Sequence, residues 1–334
     1  MKDTDYAGTN ARIRVFETRL LKKEQFDTML QAKDFDEAVN VLKDSPYRQD
    51  VERMKETKEY DVLLDNEMQR TFQELFDLTP EPRLIELFSL RYTYHNLKVL
   101  LKAKLVGENF DFLLIDIGRE PLSALRNAVE TGKSELLDPM ILAAIADTKA
   151  YYEEYQAIQA VDILLDRAYF HHLKAIAVAL KVPRIIECIE LFIDLSNLST
   201  LSRAVNQKQT QNFLRTILSS AGKIPKEQLL ALITEDLTSL PKKLSSFPYE
   251  SIIETATNPE TGRLSPVALD LATDNALMAF FQEAKFDIFG PMPMLAYLYA
   301  KETEIKNLRL LLVGKNNQLS QTALEERMRI NYGS

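Results

Sequence analysis

Residues 307–314 read "NLRLLLVG", and the same signature stands at 96–103 as "NLKVLLKA" and at 197–204 as "NLSTLSRA". Each copy places Leu at +1 and +4 (Leu97 and Leu100, Leu198 and Leu201, Leu308 and Leu311) and a small residue at +7 (Ala103, Ala204, Gly314). Leucines three apart lie on one helix face, and a small residue one turn on permits close approach or a stop. A second landmark precedes each copy: "DVLLDNEMQRTF" from Asp61, "DILLDRAYFHHL" from Asp162 and "DLATDNALMAFF" from Asp270. From the second Asp of each, positions +3 and +7 are Met68 and Phe72, Tyr169 and Leu173, Leu277 and Phe281, a buried helix face written three times. Asp65 to Asn96 and Asp166 to Asn197 both span 31 residues, and Asp274 to Asn307 spans 33. Two landmarks at a fixed interval make an internal repeat of helices, which excludes a reading of the chain as unrelated segments.

The N-terminal "TNARIRVFETRLL" carries Asn10 with Arg12 at +2, as Lys98 and Arg309 follow the later asparagines, and reads as a partial copy. The layout is a leading half-unit with a first repeat over 1–140, a second repeat over 141–245 and a third over 246–334. Nine Gly and thirteen Pro in 334 residues leave few turns for many short strands, so the expected fold class is all-α. Helix breaks fall at "DSPY" (44–47), "GREP" (118–121), "SFPY" (246–249) and "FGPMP" (289–293). Three similar helical units either close into a funnel-shaped, pseudo-threefold body or stack as an open solenoid.

With 41 basic and 49 acidic residues the formal charge is −8, which disfavours nucleic acid as a partner. No stretch approaches the ~20 apolar residues of a membrane span, and no secretory leader is visible. The single cysteine, Cys188, lies in "IIECIELFI" and reads as a buried thiol in a protein of the reducing cytoplasm.

Candidate chemistry is sparse. Gly314-Lys315 follows an apolar run, but a phosphate loop needs a second Gly five residues earlier, where Arg309 stands, and Ser or Thr next, where Asn316 stands. The Asp-x-x-x-Asp pairs have the one-turn spacing of magnesium-binding all-α diphosphate enzymes, but such enzymes need two facing acid clusters and these copies lie in three separate units, so they read as solvated charges at helix starts. His171 and His172 point about 100° apart on a helix and do not share a metal; one packed and one exposed is the expectation. No catalytic residue, cofactor or metal is therefore assigned. Two features exceed a generic helical surface. Arg12, Arg14, Arg19, Lys22 and Lys23 form a basic N-terminal stretch, with Lys98, Lys102 and Lys104 a second cluster, suited to an acidic partner. The turn around Phe289, Met292 and Met294 reads as a buried corner or an adaptable contact.

The stretch "PMPMLAYLYAKETEIKNLRLLLVGKNNQLSQTALEERM", with "YHNLKVLLKAKL" and "YAGTNARIRVFETRLL", resembles the C subunit of bacterial and archaeal V-type (A/V-type) ATPases, the counterpart of the d subunit of eukaryotic V-ATPases. Pro293 to Gly314 is its most specific part; the middle repeat departs, with Ser199 where Lys98 and Arg309 stand. The resemblance implies an all-helical, pseudo-threefold funnel without catalytic activity. It also implies a place on the cytoplasmic face of the membrane rotor ring of proteolipid subunits, receiving the central shaft made of the D and F subunits. The role is to pass torque between ATP turnover and movement of H+ or Na+. The matching positions Asn10, Arg12, Asn96, Lys98, Asn307 and Arg309, with Arg14 beside them, are the expected docking residues; the rival role for the asparagines is helix capping. A generic helical-repeat scaffold, or a magnesium-dependent diphosphate enzyme, are the alternatives.

Overall fold

The computed structural model describes residues 3–333. Helices account for all regular structure among them, and the β-type pairing consists of one isolated bridge, Thr257 to Leu264. Eight helices organise the chain: α1 (Ala7–Glu17), α2 (Tyr60–Leu78), α3 (Arg83–Val106), α4 (Pro139–Tyr155), α5 (Gln159–Leu180), α6 (Pro183–Asn206), α7 (Pro266–Glu283) and α8 (Met292–Asn316). Local chemistry sets their ends. Pro139 opens α4 behind Asp138, whose carboxylate accepts the Met140 N–H, and α3 stops where Gly107 takes a left-handed φ of 78° and donates to the Ala103 carbonyl.

The chain forms two compact units, Met1–Pro80 with Asp274–Ser334, and Glu81–Thr273. In the first, α8 is the core: from Met292 to Ile305 every residue is buried, and α1 and α2 pack on it. In the second, α3, α4 and α6 pack on α5. The landmark leucines behave as their spacing predicts, with Leu97, Leu198, Leu201, Leu308 and Leu311 all at most 1% exposed. Truncating such a residue to Ala costs about 2–5 kcal/mol, so these rows dominate the stability of the repeat.

Gly314 has a packing reason. A Cβ there would lie 2.2 Å from a methyl of the buried Leu324, which the short helix Gln321–Glu325 lays against α8. Gly314→Ala is expected to destabilise the first unit by about 1–3 kcal/mol, read as faster hydrogen exchange in 321–325; unchanged exchange there would count against this packing.

Candidate functional site

The three asparagines sit in mid-helix, away from the caps, and each makes the same device. Asn96 donates to the Ile115 carbonyl (2.7 Å) and accepts the Ile115 N–H (2.9 Å). Asn197 does both with Ser219 (2.9 and 3.0 Å), and Asn307 with Arg329 (3.0 Å each). A side-chain amide has one acceptor and one donor edge, so it pairs with a peptide group as another peptide would. The chain returning after each long helix is thereby fixed at one residue. Asn10 departs from this: its amide donates to the carbonyls of Ile288 and Gly290 (3.1 and 3.0 Å) and its own oxygen is buried with no partner.

The residue at +2 from Asn, or its neighbour one turn on, meets the Asp pair of the next repeat in order. Lys98 binds Asp166 (2.5 Å) and Lys102 binds Asp162 (2.7 Å). Ser199 and Arg203 both bind Asp270. Arg309 binds Asp61 and Asp65, 2.7 Å each, so the third copy pairs with the first. The acidic pairs are thus ion-pair partners of facing helices, a correction to their reading as solvated helix-start charges. Asp274 instead takes Lys306 (2.9 Å) and Arg329 (2.6 Å). Burial pushes its carboxyl up, but those two cations outweigh it and hold it below the usual range. Most of these pairs are partly exposed and contribute about 0.2–1 kcal/mol each, so they set register while the leucines hold the helices.

Three residues before the asparagine lies a second buried device. Glu304, 4% exposed, accepts the Leu21 N–H (2.5 Å) and the Tyr47 hydroxyl (2.8 Å). Lys301, 2% exposed, contacts Glu304 (2.7 Å) and Glu67 (2.9 Å). Burial pulls the Lys301 pKa down, yet Glu304, Tyr47 and Glu67 more than offset it and keep the ammonium charged. The counterpart in the second repeat is Asp194, fully buried, which accepts the Ile224 N–H (3.0 Å) and the Tyr249 hydroxyl (2.9 Å). Tyr47 and Tyr249 end "DSPY" and "SFPY", the two Pro-Tyr turns. The third repeat's acid is served by residues of the N-terminal half-unit, which supplies what the C-terminal segment lacks.

The expected docking residues are therefore mostly engaged. Asn96 and Asn307 are clamps, Lys98 and Arg309 are in ion pairs, and Arg14 binds Glu17 and the Asp287 carbonyl. Arg12 is exposed, with no partner among the described residues. The Gly-Lys pair is structural: Lys315 donates to the Leu30 and Ala32 carbonyls (2.7 and 2.6 Å) at the end of the helix Lys23–Gln31. His172 is buried beside Tyr94 and His171 is exposed. The Met-containing turn splits, with Met292 and Met294 buried and Phe289 56% exposed. Burial pushes the Cys188 thiol up to about 12, unsuited to a nucleophile.

The first repeat has Thr93 at the acid position and places Glu120 nearby, close to Glu86 and Arg119. Burial first, then Glu86, push Glu120 up to about 7. A carboxyl whose folded pKa is raised favours the folded state while protonated, so its stabilisation is full below its unfolded pKa and is lost as pH rises from about 4.5 to about 7. Glu120→Gln is expected to flatten that decline and add about 1–3 kcal/mol at pH 8. Urea titrations of both proteins at pH 5 and 8, read from the hydrogen-exchange protection of second-unit amides, would test it, and an unchanged difference between the two pH values would refute it.

Sequence comparison gives relatives along almost the whole chain. The C subunit of the V-type sodium ATPase of Enterococcus hirae is 34% identical over 328 residues, covering 98% of this chain and 99% of that protein. The C subunit of the A-type ATP synthase of Methanosarcina acetivorans is 26% identical, covering 97% and 93%, and that of Thermococcus kodakarensis 25%, covering 93% and 86%. The sequence profile of the ATP synthase (C/AC39) subunit matches residues 9–327. With this profile and these relatives spanning almost its whole length, the chain belongs to the ATP synthase (C/AC39) subunit family, a non-catalytic subunit of the ATPase complex.

Proposed function

We propose that the protein is a central-stalk rotor subunit, joining the shaft of the D and F subunits to the membrane ring of proteolipid subunits and passing torque between ATP turnover and ion movement. Likeness over 98% of the chain to a component of a V-type sodium ATPase carries this reading. A torque coupler must transmit load without yielding, and packed helices whose returning segments are clamped at Asn96, Asn197 and Asn307 meet that need. Within each compact unit the ordered ion pairs tie one landmark helix to another, which suits a body that must carry load. No described helix is long and apolar enough to cross a membrane, which suits a peripheral place at the cytoplasmic face. Asn10, Asn96 and Asn307 then serve docking by holding loops in place, while Arg12 offers a free cation. Whether Na+ or H+ moves is set by the ring and its stator.

The test is recovery of the tagged chain in mild detergent: co-purification of shaft and ring subunits is expected, and their absence under conditions that preserve the complex would overturn the reading. Reversing Arg12 and Lys98 to Glu is expected to weaken that recovery; unchanged assembly would remove those residues from docking.

A further inference from the structure

One surface is not explained by the clamps. An open cleft of about 770 Å³ lies between the segment Thr18–Gln25, the segment Lys43–Gln49 and one face of α2. Five cations line it, Arg19, Lys22, Lys43, Arg48 and Arg70, against the acids Asp44 and Glu74. In a protein of formal charge −8 this is a local reversal of sign. Lys22 and Arg48 have no side-chain ion pair among the described residues, Arg19 lies over the Phe16 ring at 5.1 Å, and the Lys43 contact with Glu52 is long and exposed.

The cleft's walls are held by the buried cluster. Leu21 N–H and the Tyr47 hydroxyl, one from each segment, both donate to Glu304. On α2, Arg70 binds Glu67, whose other oxygen faces Lys301. Three segments distant in sequence are thus fixed to one carboxylate–ammonium core, and each presents cations outward. The second unit repeats the plan: Asp194 holds Ile224 and Tyr249, and the flanking stretches carry Lys223, Lys226, Lys242 and Lys243. The first repeat, with Thr93 in place of the acid, has Glu120 on the corresponding loop.

We propose that the cleft is a docking site for an acidic polypeptide segment of a neighbouring subunit, an inference that rests on the rotor reading for the identity of that neighbour. The cations stand exposed on three separate segments around a cleft of about 770 Å³, which suits several carboxylates spread along a chain better than one phosphate-sized ion. The overall negative charge disfavours a nucleic-acid strand. Partner charge and cleft charge complement one another, so the contact weakens with salt.

The experiment measures binding of a fluorescein-labelled Glu-Ala repeat peptide to the full chain at low salt, alongside recovery of the complex in detergent. Arg19→Glu with Arg48→Glu is compared with Lys133→Glu and Lys181→Glu, which carry equal charge change on exposed positions of the other unit. Circular dichroism confirms that both variants fold. A loss of about tenfold or more in peptide affinity for the cleft variant, and about twofold or less for the control, is expected, together with release of a neighbouring subunit that the wild type retains. Equal losses in both variants, no peptide binding by the wild type, or full retention of the complex by the cleft variant would overturn the proposal even where the wild type recovers shaft and ring. Peptide binding that depends on the cleft, with no shaft or ring recovered by the wild type, refutes the rotor reading and leaves the cleft as an acidic-segment site.

Discussion

Replacing Lys301 by Met destabilises the first unit by about 3–5 kcal/mol, the expected cost of leaving buried carboxylates without their cation. Met fills the volume of the Lys stem, so the loss measures charge and not a cavity. Glu304 would still accept from Leu21 and Tyr47, but Glu67 would keep only Arg70. Adding Glu67→Gln and Glu304→Gln to Lys301→Met is expected to return much of the loss, because replacing a whole buried ion group is far cheaper than breaking one. Since the chain has two units, a single unfolding free energy is a poor measure, and hydrogen exchange along α8 against α5 separates them. A Lys301→Met protein whose α8 protection stays within about 1 kcal/mol of wild type would show that the cluster does not hold the unit together.

The second large effect belongs to Asn197, whose clamp is the most enclosed of the three. Both of its bonds are buried, and Ser219 is 2% exposed. Asn197→Ala leaves a buried N–H and a buried carbonyl unpaired, at about 1–3 kcal/mol each. Asn197→Asp keeps the acceptor, loses the donor and sets a carboxylate against the Ser219 carbonyl, so it is expected to cost no less than Ala despite its matching shape. Exchange of the Ser219 amide reports the first change directly. Equal protection of that amide in wild type and Asn197→Ala would mean that the loop is held by its apolar contacts alone.

The landmark helices and their buried leucines could be read from the sequence because both are written in side chains at helical spacing. The clamps could not. An asparagine pairing with a peptide group 19 to 22 residues later leaves no mark on the partner position, since every residue has a backbone. Lys301 and Glu304 were hidden differently: "AKETEIKN" has the composition of a solvated helix face, and only the apolar residues of other segments make it a core. One signal was present. The turns "DSPY" and "SFPY" share a Pro-Tyr ending, and an acid stands three residues before Asn197 and Asn307 but not before Asn96. That correlation points to the Tyr–carboxylate bonds. Arg14 and Arg309 look like free docking charges in the sequence because their partners, the Asp287 carbonyl and the Asp61–Asp65 pair, come from distant segments.

The first unit is assembled from N-terminal and C-terminal segments, with α8 as the core under residues of the N-terminal half-unit. A ribosome makes the former long before the latter. The N-terminal eighty residues therefore leave it without the helix that accepts Leu21 and Tyr47, whereas the sequence of the second unit, Glu81–Thr273, is already complete before α8 is made. A chain that stops before α8 lacks the carboxylate that fixes both Leu21 and Tyr47, and lacks the Arg309 ion pairs. The walls of the cleft are thus written at one end of the sequence and the group that fixes them near the other, so its shape is a product of tertiary closure and not of local folding.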